Sequence, residues 1–181
     1  GSVLRSIDRE RYEVVPIGIT PAGQWVLEAD NAMRLQVNGG VFPKVNETRS
    51  PILFAPDPTS TEITVKADSP KVLENIDVAF PVLHGPYGED GTIRGLFELA
   101  GIPYVGSGVF ASAACMDKAH MKSMLVAAGL PVGVYEVITD LQWRTAKRHT
   151  LKRVKDLGFP VFVKPARAGS SRSEEHTSEL Q

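Results

Sequence analysis

The stretch FPVLHGPYGEDGTIRGLFELAGIPYVGSG, Phe80 to Gly108, restricts what this chain can fold into more than any other. An apolar run with the character of a buried strand ends at His84, and three glycines and two acids, Glu89 and Asp90, follow within eight residues. A helical pattern starts near Thr92 and stops at ELAGIP, where Gly101 is a C-cap and Pro103 cannot continue a helix. Strand, glycine-rich turn, helix and strand in that order are the unit of an α/β layering. In it, polar groups and a positive helix N-terminus meet at the carboxyl end of a strand, where open sheets bind ligands.

The same grammar recurs. Strands are expected at Glu13–Ile19, Ile76–Leu83, Tyr104–Val105, Val134–Ile138 and Val161–Lys164, and helices at Thr92–Ala100 and Lys118–Ala128. The second helix closes on VAAGLP and has Asp117 as its N-cap, so the fold class is α/β with a mostly parallel sheet. Pro21–Asp68 is different: it has no helical period, only short alternating pieces such as ILF and TEITV, and reads as a hairpin-rich insertion. Gln142–Leu157 reads as one basic amphipathic helix closed by Gly158, its charges a solvated face.

A chain of 181 residues with 43% hydrophobic content fills the core of one ordinary domain or two small ones. With 20 lysines and arginines against 21 acids, nothing favours nucleic acid or an anionic membrane surface as a partner. No apolar run approaches the roughly 18 residues of a membrane helix, and the N-terminus has no signal-peptide pattern. Cys115 stands alone, which precludes an intramolecular disulfide and suits a reducing cytoplasm.

On chemistry alone, His84 is either a satisfied turn histidine or a group facing a ligand, and Asp90 or Thr92 is a simple helix cap or part of that site. KPARAGSS, Lys164 to Ser171, sets a lysine at a strand end before small residues whose backbone N–H groups can face an anion. Its alternative is an ordinary turn between strands.

HGPYGEDGTIRG resembles the signature of the D-alanine:D-alanine ligases of the ATP-grasp superfamily. GSGVFASAACMDKAHMKSMLVAAGLPV, with Lys118 in its Met-Asp-Lys, and GFPVFVKPARAGSS are similar to the family's next two blocks and follow in the family's order. The resemblance runs from about Ser2 to Ser171. Arg94 stands where the family usually has glutamine, a departure that a surface helix should tolerate.

The resemblance implies a Rossmann-like, pre-ATP-grasp parallel sheet over residues 1–107, for substrate binding, and the incomplete first part of an ATP-grasp domain over 108–171. It implies a reaction in two steps: ATP phosphorylates the carboxylate of a first D-alanine, and the amine of a second attacks the acyl phosphate. Such chemistry needs cations along the phosphates, donors at the developing oxyanion and exclusion of water. Lys118 and Lys164 match the family's phosphate-binding lysines. His84 matches the histidine that orients the first D-alanine, and Glu89 and Asp90 support its turn rather than ligate metal. Ser170 matches a loop serine that hydrogen-bonds other active-site groups, and Gly169 and Ser171 help form a mobile loop over the phosphates. The implied partners are D-alanine, ATP and a second subunit in a homodimer, in a bacterial cytoplasmic enzyme of peptidoglycan precursor synthesis. The Mg²⁺ ligands, oxyanion arginine and adenine-binding strand are expected after Ser171, and a glycine-rich first strand before Gly1, so a ligase fragment without activity of its own is expected. A D-alanine:D-lactate or D-alanine:D-serine ligase fragment and a non-catalytic α/β binding module are the alternatives.

Both ends invite separate readings. Gly1 and Ser2 are either a scar or the result of a cut inside the first helix. RSEEHTSELQ, Arg172 to Gln181, does not resemble the family's continuation, and one choice of its codons is a common sequencing-adapter sequence. It is expected to be a non-native tail over 172–181, with its His176 and glutamates not a metal site.

Overall fold

Apolar residues two apart, as at Ile63 and Val65, form strands with one buried face, and this pattern builds the first part of the molecule. The computed structural model describes residues 1–31, 44–60, 62–66, 71–73, 76–169 and 174–176. The chain divides into two units, Gly1–Val78 with Leu99–Ile102, and Ala79–Glu98 with Pro103–Gln181.

The first unit opens with helix α1 (Ser2–Ser6) and continues with strands β1 (Ile17–Ile19), β2 (Trp25–Leu27), β3 (Ile52–Phe54), β4 (Ile63–Val65) and β5 (Lys71–Leu73). β1 and β2 pair antiparallel, with Ile17 opposite Leu27 and Ile19 opposite Trp25. Their reversal is tied by the Thr20 N–H, which donates to the Gln24 carbonyl at 2.8 Å. β4 pairs antiparallel with both β3 and β5, and a bridge between Val26 and Pro51 joins the two ladders. Ile52, Ile63 and Val65 are buried, and Ile17, Trp25, Leu27, Phe54 and Ile76 pack against them. The Trp25 and Phe54 rings stack with centroids 6.0 Å apart. Full burial of each such aliphatic side chain contributes roughly 1.5–3 kcal/mol, so this core is what makes short strands stable. The insertion expected over Pro21–Asp68 is hairpin-rich at its described residues.

In the second unit a parallel bridge pairs Ala79 with Tyr104. The Ala79 N–H donates to the Pro103 carbonyl at 2.8 Å and the Val105 N–H to the Ala79 carbonyl at 2.9 Å. α2 (Thr92–Leu99) buries Ile93 and Phe97, one turn apart, and the Phe97 ring lies 5.9 Å from that of Tyr104. α3 (Val109–Met116), which the sequence reading did not foresee, leads through Asp117 directly into α4 (Lys118–Ala127). α5 (Asp140–Thr145), α6 (Lys147–Asp156), β6 (Val161–Val163) and β7 (Glu174–His176) follow, β7 pairing antiparallel with β6.

The chain is thus mixed α/β with small sheets. The parallel relation expected for its first sheet appears among the described residues at Ala79 and Tyr104, while the longer ladders are antiparallel. Three expected elements differ. Ile76–Leu83 carries only the isolated bridge at Ala79 and is no buried strand among the described residues, with Phe80 and Val82 exposed. Val134–Ile138 joins no ladder among the described residues, and Val134 is exposed. Gln142–Leu157 is not one helix, because Thr139 starts a capping box with Gln142 and Ala146, at φ −138° and ψ 38°, interrupts the turn. Thr150, fully buried, donates its hydroxyl to the Gln142 carbonyl across that break.

Candidate functional site

The turn after His84 is built by its two acids. The Glu89 carboxylate accepts from the Gly85 N–H at 2.6 Å. Asp90 accepts from the Tyr87 N–H and, through its other oxygen, from the Thr92 N–H, each at 2.9 Å. These donors would otherwise be unpaired at a tight turn and a helix start. Burial works to raise the Asp90 pKa, but the Thr92 and Tyr87 N–H groups outweigh it and hold the carboxyl below the usual carboxylate range. Tyr87 sits at φ +67°, a left-handed conformation uncommon outside glycine, so the turn stores strain that its hydrogen bonds must hold. At Gly88 a Cβ would come within 2.5 Å of the Leu83 Cβ, which requires glycine there.

Arg94, expected to be tolerated on a surface helix, makes a specific contact as well. It is not a freely solvated residue of a surface helix: it is half-buried and donates to the Gly88 carbonyl at 2.7 Å, bracing the turn from α2. A glutamine at that position would reach less far and carry no charge.

A second structure forms where α3 meets α4. Asp117 caps α4, one carboxylate oxygen accepting from the Ala119 and His120 N–H groups at 3.0 and 3.1 Å. Its other oxygen receives Arg167 Nε at 2.6 Å and lies 3.0 Å from His120 Nδ1. The Arg167 hydrogen bond first, then the His120 backbone and ring, hold the Asp117 carboxyl well below its ordinary range. The next residue, Lys118, donates its backbone N–H to the Ala166 carbonyl at 3.0 Å and its ammonium to the Gly169 carbonyl at 3.0 Å.

Gly169 ties this structure to the turn. At φ +64°, a Cβ on it would lie 2.8 Å from Glu89 Oε2 and 3.2 Å from the Gly85 Cα. Only glycine satisfies both the left-handed backbone and that approach. The sequence-predicted residues Lys118, Gly169, Glu89 and Asp90 therefore share one neighbourhood. His84 and Lys164 are exposed, and neither makes a side-chain hydrogen bond among the described residues. Ser170 and Ser171 lie outside the described residues. The sequence reading missed Arg167 and the second role of Asp117; the only signal for either is a pair of opposite charges beside the two lysines, 50 positions apart.

Residues 1–107 match the family described as D-ala D-ala ligase N-terminus, and residues 124–176 the one described as D-ala D-ala ligase C-terminus. The chain is 48% identical to the D-alanine–D-alanine ligase of Streptomyces coelicolor and 52% identical to that of Rhodococcus jostii, over 94% of this chain and 46% of each relative. Among solved structures it is similar to the VanG D-Ala:D-Ser ligase of Enterococcus faecalis, with a TM-score of 0.75 at 30% identity over 98% of this chain and 49% of that one. It is also similar to the D-alanine-D-alanine ligase of Coxiella burnetii, with a TM-score of 0.73 at 28% identity over 97% of this chain and 50% of that one. The chain spans about half the length of the curated relatives it matches. Its α/β fold is that of the ATP-grasp ligases, and the chain belongs to the D-alanine–D-alanine ligase family.

Proposed function

We propose that the whole protein joins two D-alanines at the expense of ATP, and that Lys118 and Lys164 carry the phosphate contacts. The observation that supports this most is the convergence of the Lys118 ammonium, the Gly169 carbonyl and the Gly85–Glu89 turn in one neighbourhood. In this reading the Lys118 ammonium exchanges the Gly169 carbonyl for a phosphate oxygen, a stronger, charged acceptor. Lys164, already exposed at a strand end, adds a second cation along the same phosphates. His84 orients the first D-alanine, on a turn that Glu89 and Asp90 keep in shape. Ser170 hydrogen-bonds other groups of the site, and Gly169 and Ser171 form the loop over the phosphates. Residues 1–107 act as the substrate-binding domain and 108–171 as the first part of the ATP-grasp domain, which the family match ending at residue 107 supports.

Once the carboxylate of the first D-alanine is phosphorylated by ATP, the amine of the second attacks it, and a tetrahedral oxyanion must be stabilised and water kept out. Among the described residues no three acidic, histidine or cysteine side chains converge as metal ligands do. In this reading the Mg²⁺ ligands belong to other parts of the whole protein. The enzyme is cytoplasmic and homodimeric in this proposal; among the described residues no helix is long and apolar enough to cross a membrane. The likeness to a D-Ala:D-Ser ligase supports a second reading, in which the second substrate is D-serine, or D-lactate, and the same residues serve the same first step.

Phosphate release from ATP with D-alanine tests this, measured on the 181-residue chain and on residues 1–171 joined to the remaining length of a relative. Turnover is expected in the longer protein and not in the shorter one. Release at a normal ligase rate by the 181 residues alone would sink the reading. Product analysis with D-serine or D-lactate as second substrate decides between the two specificities.

A further inference from the structure

We propose that Asp117 and Arg167 are a positioning pair: one carboxylate fixes the N-terminus of the Lys118 helix and holds the Lys164–Gly169 segment, so that both phosphate lysines move as one unit. The inference rests on the phosphate role proposed above and adds to it the residues that set the lysines in register.

Three observations carry it. First, Asp117 joins two structures through its two oxygens, the second of which also lies 3.0 Å from the His120 ring of α4. One accepts from Ala119 and His120 of α4, at 3.0 and 3.1 Å, and the other accepts from Arg167 at 2.6 Å. Second, the pair does not act alone. On one side of it the Lys118 N–H reaches the Ala166 carbonyl, and on the other the Lys118 ammonium reaches the Gly169 carbonyl, each at 3.0 Å. Arg167 lies between those two acceptors in sequence, so its bond to Asp117 fixes the spacing of both. Third, the pair is asymmetric in burial. The Asp117 side chain is 12% exposed and that of Arg167 75% exposed. An ion pair with one end so open adds little to global stability. A charge-assisted bond to a mostly buried carboxylate that is already fixed by two backbone donors does set direction, which is what positioning requires.

The Lys118 amide provides a reporter. As one of the first amides of a helix it has no intrahelical acceptor, and its partner is the Ala166 carbonyl. Its protection from hydrogen exchange therefore reads the docking of the Lys164–Gly169 segment rather than the stability of α4.

The experiment measures exchange at the Lys118 amide, and affinity for inorganic triphosphate, in the 181-residue chain and in Asp117→Asn, Arg167→Gln, the double variant and Arg167→Lys. Asparagine keeps an oxygen for the helix cap and loses the charge that Arg167 needs. The proposal expects exchange to speed up on the order of tenfold in each of the first two variants, with the double variant no faster than either, as coupled residues require. Arg167→Lys, which keeps the charge, should restore most of the protection. Triphosphate affinity should fall in the same order, with α-helical content unchanged. Unchanged exchange in Asp117→Asn overturns the proposal, as do additive effects in the double variant. So does loss of affinity in Arg167→Gln alone, which would make Arg167 a direct phosphate contact. If the unaltered chain binds no triphosphate while the exchange pattern holds, the coupling stands and the phosphate role of Lys118 fails.

Discussion

The β1–β5 hairpins and the glycine-rich turn with its facing loop are held by opposite means. In the hairpins, Ile52, Ile63 and Val65 are buried among apolar neighbours, and the polar groups they share are those of the backbone ladders. In the turn and loop, Glu89, Asp90 and Asp117 receive backbone N–H groups directly, Lys118 reaches Gly169 and Arg167 reaches Asp117. Burial is non-directional and stabilises; hydrogen bonds to charged groups are directional and place atoms. A region proposed to present an ammonium to a phosphate needs the second kind. The cost is that each such residue, once lost, leaves a partner unpaired rather than a smaller core.

The contrast is sharpest for large changes. Ile63→Ala should remove about 2–5 kcal/mol from the stability of the hairpin unit, seen as a lower urea midpoint, while leaving exchange at the Lys118 amide unaltered. Glu89→Ala should leave the Gly85 N–H without its acceptor, a local loss of about 1–3 kcal/mol that appears as faster exchange at Gly85 with little change in the hairpin. If Glu89→Ala instead unfolds the hairpins, the two regions are not held by separate means.

A pH series separates them further. The Asp117 carboxyl titrates lower in the folded chain than in the unfolded one, where its value is about 4. Its contribution to stability is thus complete above the unfolded value and is lost as pH falls through the folded one. Urea unfolding from pH 6 down to 3 should show an acid-side loss that is smaller in Asp117→Asn. An equal loss in both would remove Asp117 from the account. The smallest effect is expected at Tyr87. Tyr87→Gly relieves a left-handed backbone but frees the unfolded chain, for a net change within about 1 kcal/mol, and the turn's hydrogen bonds should persist in its amide shifts.

The same contrast explains what the sequence makes legible. Alternation at Ile63–Val65, the Gly101 and Gly129 caps and the Asp117 cap are local signals, and the elements they mark are present. α3 was not seen, because VFASAACM is apolar and small-residue-rich around the helix and shows no clean stripe. The break at Ala146 has no local mark in the sequence: it borders a run of basic residues, in which the buried Thr150 that donates across it does not stand out. At the site, Lys118, Gly169, Glu89 and Asp90 could be picked out from their motifs, but the Asp117–Arg167 pair could not. Its members are 50 residues apart, and one sequence carries no signal for which of 20 bases a carboxylate will meet. Arg94 was read as a tolerated surface change for the same reason, since its contact with Gly88 is tertiary.

Lys118 and Lys164 are proposed to meet nucleotide phosphates. The most direct test is phosphate release from ATP with D-alanine in residues 1–171 joined to the remaining length of a relative, comparing Lys118→Ala and Lys164→Ala with the unaltered form. The account predicts that each substitution lowers kcat/KM by on the order of 10²-fold or more, as for loss of a group that stabilises developing charge. A rate within a few-fold of the unaltered protein in either variant would contradict it.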